Sequence, residues 1–310
     1  MKILVTGGAG FIGSNIVDAY IKSGNTVVVV DNLSTGKKSF VNNKAIFYKA
    51  DIRDANELVK IFETEKPEVL NHHAAQISVR DSVENPQNDA EVNIQGLLNL
   101  LQSGVKSGIK KVIFASSGGV VYGEAMRLPT PENYTPLFPL SPYGVTKLAS
   151  EYYLNFYYKT YNIPYITLRY SNVYGPRQNP HGEAGVVAIF SNKLLCGETS
   201  IINGDGLQTR DYIYVGDVVS ANNKALSYSS YGCFNIGTGR ETSVVEIFEM
   251  LRKLNGKDIF AKYGPAKKGE QKRSCLETKH AEKLLGWKAT TPLKTGLAKT
   301  LDYFRNEEKT

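Results

Sequence analysis

Cysteine is scarce: Cys196, Cys233 and Cys275 are the only three in 310 residues. An odd number at wide spacing supports neither a disulfide framework nor a zinc ligand set, so the chain reads as a reduced, cytoplasmic protein without a metal. Long apolar runs are also missing. Glycines interrupt the opening MKILVTGGAGFIGS too early for a signal-peptide core or a membrane span, and neither a targeting segment nor a membrane partner is expected. Like charges do not gather in blocks. The 37 Lys and Arg against 30 Asp and Glu give a net charge of +7, spread along the chain. That pattern argues against a nucleic-acid partner and fits either an anionic ligand or a merely basic surface. Internal repeats are absent, and no break in composition marks a linker.

What is present is 42% hydrophobic residues, enough to bury a large core, arranged in an alternating pattern. Six β-branched or apolar runs, at 2–6, 26–30, 45–50, 68–74, 111–116 and 165–170, read as strands buried on both faces. Segments with helical spacing separate them, which predicts right-handed βαβ units on a parallel sheet. Beyond Tyr170 the regularity fades. A Pro/Gly-rich loop at 175–185 precedes a helix, a short strand near 200–203, and helices near 244–254 and 278–285. The expected class is α/β, a doubly wound parallel sheet with a smaller interleaved C-terminal lobe. The larger domain would take residues 1–172 with a return segment near 212–240; the smaller lobe would take 173–211 and 241–310.

Gly7, Gly10 and Gly13 follow the first strand directly, where a helix begins. Glycine there permits a tight turn and close approach of the backbone to a pyrophosphate, whose charge meets the helix N-terminus. A lone glycine-rich loop is weak evidence. Here Asp31 ends the second strand at the expected distance, completing a Rossmann-type fingerprint. Its carboxylate would accept hydrogen bonds from a ribose and repel a 2′-phosphate, favouring NAD over NADP. Capping of the next turn is the bland alternative.

Tyr143 and Lys147 lie one helical turn apart in SPYGVTK and share a face. A free tyrosine, with a pKa of about 10, is a poor base at neutral pH, but a nearby ammonium and a cationic nicotinamide would both favour its phenolate. Tyr-x-x-x-Lys alone is common by chance. On the same domain as an NAD fingerprint it points to catalysis.

With these residues in place, the chain resembles the extended short-chain dehydrogenase/reductases, and within them the UDP-hexose 4-epimerases. TGGAGFIGS, DNLSTG, HHAAQ, SSGGVVYG, SPYGVTK, LRYSNVYGPRQ and NIGTG carry the resemblance in order and spacing, over essentially the full length. It implies a tightly held NAD, contacted by the loop through Phe11 and Ile12 and by Asn32, Ser34, Thr35 and Gly36 beyond Asp31. Asp51 and Ile52 would border the adenine. His73, Ala74, Ala75 and Gln76 would line the cleft, with Asn93 holding a strand end nearby and Tyr170 and Val173 flanking the nicotinamide. For a UDP-sugar substrate it implies Asn172, the backbone of Gly185 and Val186, Ile201 and Asn203 near the uridine, and Arg210 on the diphosphate. Asn93 and Asn172 could equally be buried hydrogen-bonding residues, and Arg210 could pair with Asp211 at the surface.

In GPAKKGEQKRS the family's usual arginine is Lys267, which keeps the charge and loses the planar fork. Lys267 and Glu270 are carried over to the substrate on that weaker footing. Ser274 occupies a position where some members carry a bulky tyrosine, and a small side chain there would admit a 2-acetamido group. The resemblance further implies a homodimer, to which the Tyr-rich 151–161 segment would contribute, although core packing explains that stripe as well.

In SSGGVVYG, counting back from the tyrosine puts the family serine on Gly118, whereas counting forward along the strand puts it on Ser117. A loop one residue longer, absorbed by unusual dihedrals at Gly118 and Gly119, reconciles the two. Ser117 is then the expected catalytic hydroxyl, with Ser116 next, since neighbours on a strand face opposite ways. No acid follows the serine, which counts against the dehydratases and decarboxylases of the same fold. A UDP-uronic acid 4-epimerase stays open. An NAD-sensing protein without catalysis would have no use for Tyr143 and Lys147 together.

Overall fold

A computed structural model of the chain describes residues 1–181, 185–266 and 271–307. The larger layer contains strands β1 (Lys2–Thr6), β2 (Thr26–Val30), β3 (Ile46–Tyr48), β4 (Val69–His72), β5 (Lys111–Ser117) and β6 (Tyr165–Tyr170). These agree with the six predicted strands to within two residues at either end. Three short strands of the outer lobe follow, β7 (Asn172–Tyr174), β8 (Ile201–Asn203) and β9 (Thr209–Arg210), then β10 (Tyr212–Tyr214). The chain next returns to the main sheet as β11 (Gly232–Ile236), before β12 (Thr242–Ser243) and β13 (Lys262–Gly264).

The main sheet has seven strands in the order β11-β6-β5-β4-β1-β2-β3, every pairing parallel. The order reverses between β1 and β4, so a crevice opens beyond the C-terminal ends of these strands. The seventh strand was not read from the sequence. It is an edge strand, and Gly232 and Cys233 dilute the apolar run that would have announced it.

Helices cover both faces. In chain order they are α1 (Phe11–Lys22), α2 (Ala55–Glu65), α3 (Val79–Glu84), α4 (Pro86–Ala90), α5 (Gly96–Ser107), α6 (Pro142–Tyr161), α7 (Val186–Leu195), α8 (Val215–Ser227), α9 (Val244–Asn255), α10 (Lys279–Leu285) and α11 (Leu293–Glu307). Alternate residues of β1 serve opposite cores, as period-two geometry requires. Ile3 and Val5 pack with Ile16, Val17 and Ala221 on one face, while Leu4 packs with Leu58, Leu97 and Leu154 on the other. The outer lobe has its own core around Phe190, Ile202, Ile247 and Leu297. Among the described residues no helix is long and apolar enough to cross a membrane.

Two local features set up the crevice. Ser141 caps α6 by accepting from the Gly144 amide at 3.2 Å, with Pro142 opening the helix, so Tyr143 and Lys147 fall on its first two turns. Between α4 and α5 the helix widens into a single π turn, Glu91–Gln95, a deformation often found where a side chain must face a site. Here it turns Asn93, which is 3% exposed, inward.

Candidate active site

The glycine loop is built as the sequence predicts, for steric reasons that can be stated atom by atom. Gly7 has φ +69°, and a Cβ there would lie 2.7 Å from the Ala74 nitrogen. A Cβ on Gly13 would lie 2.1 Å from the Gly7 carbonyl oxygen, so no larger residue fits. Gly10 starts α1 without any side-chain cap, which leaves the amides of Phe11, Ile12 and Gly13 at the helix N-terminus to receive an anion. Asp31, buried at the end of β2, accepts from the Ala9 amide at 2.9 Å and from the Leu33 amide at 2.8 Å. One carboxylate therefore holds the glycine loop to the next turn, and its remaining lone pairs are available to a ribose. Gly36 packs against Ala9, while Asn32, Ser34 and Thr35 form the exposed rim.

At the adenine end, Asp51 is gripped by Arg53 through Nε at 3.0 Å and Nη2 at 2.8 Å, and also accepts from Asn32 at 3.0 Å. These bonds, the Arg53 contact first, hold its carboxyl well below the usual range. Ile52 is buried against Gly96. On the other side of the crevice, the Thr6 hydroxyl oxygen accepts from the amides of His73 and Ala74 at 3.2 and 3.1 Å. Ala75 is half-buried beside them. The Gln76 backbone, in the loop after β4, is held in both directions by Asn93, each bond 3.0 Å. These residues fit a dinucleotide: the glycines leave space where a Cβ would intrude, and the free amides of the helix N-terminus and the Asp31 carboxylate both border the glycine loop.

Tyr170 is anchored through its hydroxyl. Its hydroxyl lies 3.1 Å from His73 Nε2 and accepts from Asn222 at 2.8 Å, within a buried polar chain that continues through Asn71 to Tyr20. The phenol thus braces His73, and Val173 beside it is half-buried. Burial, then the nearby Lys147 charge, pushes His73 down to about 3 and His72 well below its ordinary value, so both rings stay neutral.

Tyr143 and Lys147 meet on α6 as the spacing predicts. Lys147 is 4% exposed, donates to the Ala115 carbonyl at 2.8 Å, and lies 5.8 Å from the centre of the Tyr143 ring. Burial pulls its ammonium down to about 8 against the opposing effects of Asp89 and Glu151. Tyr143 moves the other way. Burial and the Asp89 charge raise its pKa, and among the chain's own groups only a hydrogen bond from Ser117 favours the phenolate. Lys147, whose ammonium is committed to a carbonyl, is not among the groups that offset burial of the phenol.

The two serines divide as strand geometry requires. Ser116 donates to Glu151 at 2.6 Å, behind the strand, where Glu151 forms a buried pair with Arg169 at 2.6 Å. Ser117 faces Tyr143. Gly118 and Gly119 do not use unusual dihedrals, since neither has a positive φ. Gly118 is glycine because a Cβ would come within 2.5 Å of Leu276. A Cβ on Gly119 would stand 3.8 Å from the Ser117 hydroxyl and 3.9 Å from Asn172 Oδ1, so this position faces the site and brings Ser117 and Asn172 to one wall.

Farther out, Gly185 begins α7 with no side-chain cap, with Val186 half-buried beside it, and Ile201 is 56% exposed on β8 with Asn203 on the same strand. Arg210 donates to the Thr209 carbonyl at 2.8 Å. Asp211 faces inward and accepts from Thr238, Gly239 and Leu276, so it is not the surface partner envisaged for Arg210. Ser274 is buried, its amide donating to the Thr209 carbonyl at 3.2 Å. Lys267 and Glu270 lie outside the described residues.

Sequence reasoning passed over Asp89 and Glu151. Both were signalled by spacing, Asp89 four residues before Asn93 and Glu151 four after Lys147. Their burial was not.

A dinucleotide cradle at the switch point of a parallel sheet, opening onto a tyrosine and lysine one turn apart, defines a dinucleotide-dependent enzyme. The family described as "NAD dependent epimerase/dehydratase family" matches residues 3–237, and the chain belongs to it. The UDP-glucose 4-epimerase of Mycolicibacterium smegmatis is 44% identical over 315 residues, all of this chain and all of the relative. The UDP-glucose 4-epimerase of Thermotoga maritima, solved with UDP-glucose, superposes with a TM-score of 0.97 at 48% identity, covering 99% of this chain and 100% of that one. The UDP-glucose 4-epimerase of Thermus thermophilus, solved with NAD, gives 0.94 at 42% identity over 98% and 99% of the two chains.

Proposed function

We propose that this protein is an NAD-dependent 4-epimerase of UDP-hexoses that interconverts UDP-glucose and UDP-galactose through a transient 4-keto sugar. The observation that carries this reading is the pairing of Tyr143 with Ser117 beside buried Lys147, in a crevice whose strand-end loop bears no acid. Bound NAD supplies the acceptor and later the donor of the C4 hydride, together with a cationic ring beside the phenol. Tyr143 takes the proton of the 4-hydroxyl as the C4–H bond breaks, and returns it to the oxygen when that bond is remade on the other face. Ser117 donates to the same oxygen and holds it in line with Tyr143. Lys147 keeps a positive charge under the pair, and the neutral His72 and His73 add none. The glycines at 118 and 119 place no carboxyl near C6, so the residues support return of hydride rather than loss of a hydroxyl.

The substrate's outer parts are assigned to Asn172, the backbone of Gly185 and Val186, Ile201, Asn203 and Arg210, and, from the sequence, to Lys267 and Glu270. Ser274 leaves the sugar end open to UDP-N-acetylhexosamines. The division into an NAD domain of 1–172 with its return at 212–240, and a lobe of 173–211 and 241–310, is supported in part by a separate outer core, although Ala281, Leu285 and Trp287 pack into the core of the main sheet and Tyr212 into that of the lobe. A homodimer is supported by α6. Leu154 and Tyr157 of the Tyr-rich stripe are core residues, but Val145, Tyr152 and Phe156 are 51%, 67% and 52% exposed along one face. Cytoplasmic residence is supported by three free cysteines.

The test is incubation of the purified protein with UDP-hexoses, UDP-N-acetylhexosamines and UDP-uronic acids, reading C4 inversion by NMR. Inversion of UDP-galactose is expected, and its absence in NAD-loaded protein sinks the reading. Good turnover of UDP-galactose with none of UDP-N-acetylglucosamine removes the wider range. Sedimentation of Phe156→Asp against wild type tests the dimer.

A further inference from the structure

Asp89 is a fully buried acid that the mechanism above does not use. It sits in the last turn of α4, two residues before the π turn, at the centre of a hydrogen-bonded cluster. Its Oδ1 accepts from Gln76 Nε2 at 2.9 Å and from Asn93 Nδ2 at 3.1 Å; its Oδ2 accepts from the Thr146 hydroxyl at 2.8 Å. Asn93 also reaches the Thr146 oxygen at 3.3 Å. Thr146 lies between Tyr143 and Lys147 on α6, so the cluster joins the catalytic helix to the loop after β4 that lines the cleft. A buried acid is costly unless its negative charge is balanced. The cation that acts on it is Lys147, which lowers its pKa against the larger effect of burial.

We propose that Asp89 is a positioning residue for the Tyr143–Lys147 pair, holding α6 in register through Thr146 and supplying the buried negative charge that balances the Lys147 ammonium. This rests on the epimerase reading for its consequence in turnover, and on the geometry alone for its effect on Tyr143. Of the other groups facing the cluster, Glu151 also favours the Lys147 ammonium, after Asp89. From α6 come Tyr143, Lys147 and Glu151, and Glu151 is already paired with Arg169. From the β4 side come His72 and His73, both held neutral. Arg80, Asp81 and Glu84 of α3, and Glu91 of the π turn, are exposed.

The direction of the effect follows from the sign of the charge. Asp89 opposes ionisation of Tyr143 and favours protonation of Lys147. Removing it should let both groups lose protons at lower pH. Asparagine is the suitable replacement, because its oxygen can still accept from Gln76 and Asn93 while its amide donates to Thr146, whose hydrogen turns to the Tyr143 carbonyl 3.0 Å away. The cluster keeps its bonds and loses its charge.

The experiment uses the NAD-loaded protein. Tyr143 ionisation is followed by tyrosinate ultraviolet absorbance, taking the difference between each protein and its Tyr143→Phe partner, alongside the pH profile of kcat/KM for UDP-galactose. Asp89→Asn should move the Tyr143 titration toward acid by roughly one pH unit, and both limbs of the rate profile should move the same way. Thr146→Val, which cuts the link and leaves the charge, should lower kcat with the titration unmoved. If Asp89→Asn titrates with wild type, the proposal is overturned whether or not the wild type epimerises UDP-galactose. A Thr146→Val enzyme with wild-type kcat overturns the positioning half. Should Asp89→Asn not fold, Asp89→Glu serves: it restores the charge and must keep the wild-type titration.

Discussion

Replacing Lys147 by methionine should make this protein inactive and more stable, and the gain should depend on pH in one direction only. Lys147 is 4% exposed, and burial brings its pKa from 10.5 to about 8. The gap corresponds to ~3 kcal/mol spent on keeping the ammonium charged inside the fold. Methionine fills a similar volume without charge, but gives up the hydrogen bond to the Ala115 carbonyl, which costs about 1 kcal/mol. The net gain is then ~2 kcal/mol, or about 3 °C in the melting temperature of a chain this long. In the folded protein Lys147 releases its proton near pH 8, while in the unfolded chain the same lysine keeps it until near 10.5. Between these values the unfolded state binds more protons, so wild-type stability rises with pH relative to the variant. The penalty is fully present below pH 8 and gone above 10.5. Scanning calorimetry of both proteins after removal of the cofactor, at pH 7 and in steps up to pH 10.5, reads this directly. A wild type more stable at pH 7, or a difference constant across the range, would refute the buried-ammonium account.

Three further outcomes are expected. Tyr143→Phe should fold and retain NAD but lose on the order of 10²–10⁴-fold in kcat, since the proton has no other acceptor within the pair; a fully active variant would remove Tyr143 from the role. Gly13→Ala should abolish NAD retention, measured by absorbance of the released nucleotide, because its Cβ would stand 2.1 Å from the Gly7 oxygen; normal NAD content would contradict the packing. Glu151→Ala leaves Arg169 buried without its partner, and denaturant melts should show a loss of about 3–5 kcal/mol; a near-neutral result would mean the pair is far more hydrated than its 6% and 11% side-chain exposures imply.

Much of the site could be read before any coordinates because its constraints are local. Gly7, Gly10 and Gly13 follow a strand and open a helix, and Gly7 and Gly13 admit nothing larger. Ser141 and Pro142 announce the start of α6, after which the helical repeat alone sets Tyr143 and Lys147 on one face. The six strands of β-branched residues were legible for the same reason. By contrast, β11 lacked an apolar run because an edge strand needs less of one, and it was found only by its pairing with β6.

The order of residues along the chain determined the parallel sheet, the nucleotide loop and the tyrosine–lysine pair, since each depends on backbone geometry over a few neighbours. Tertiary structure alone decided which serine faces the tyrosine, what the paired glycines are for, and where the charge at the site comes to rest. Ser116 was taken by Glu151, whose partner Arg169 is 18 residues farther on, and Gly118 was forced by Leu276, which lies far away in the chain. Asp89 acts on Lys147 from 58 residues away. Sterics and charge act through space, and burial, which turns a common acid and a common lysine into a coupled pair, is a property of the assembled fold.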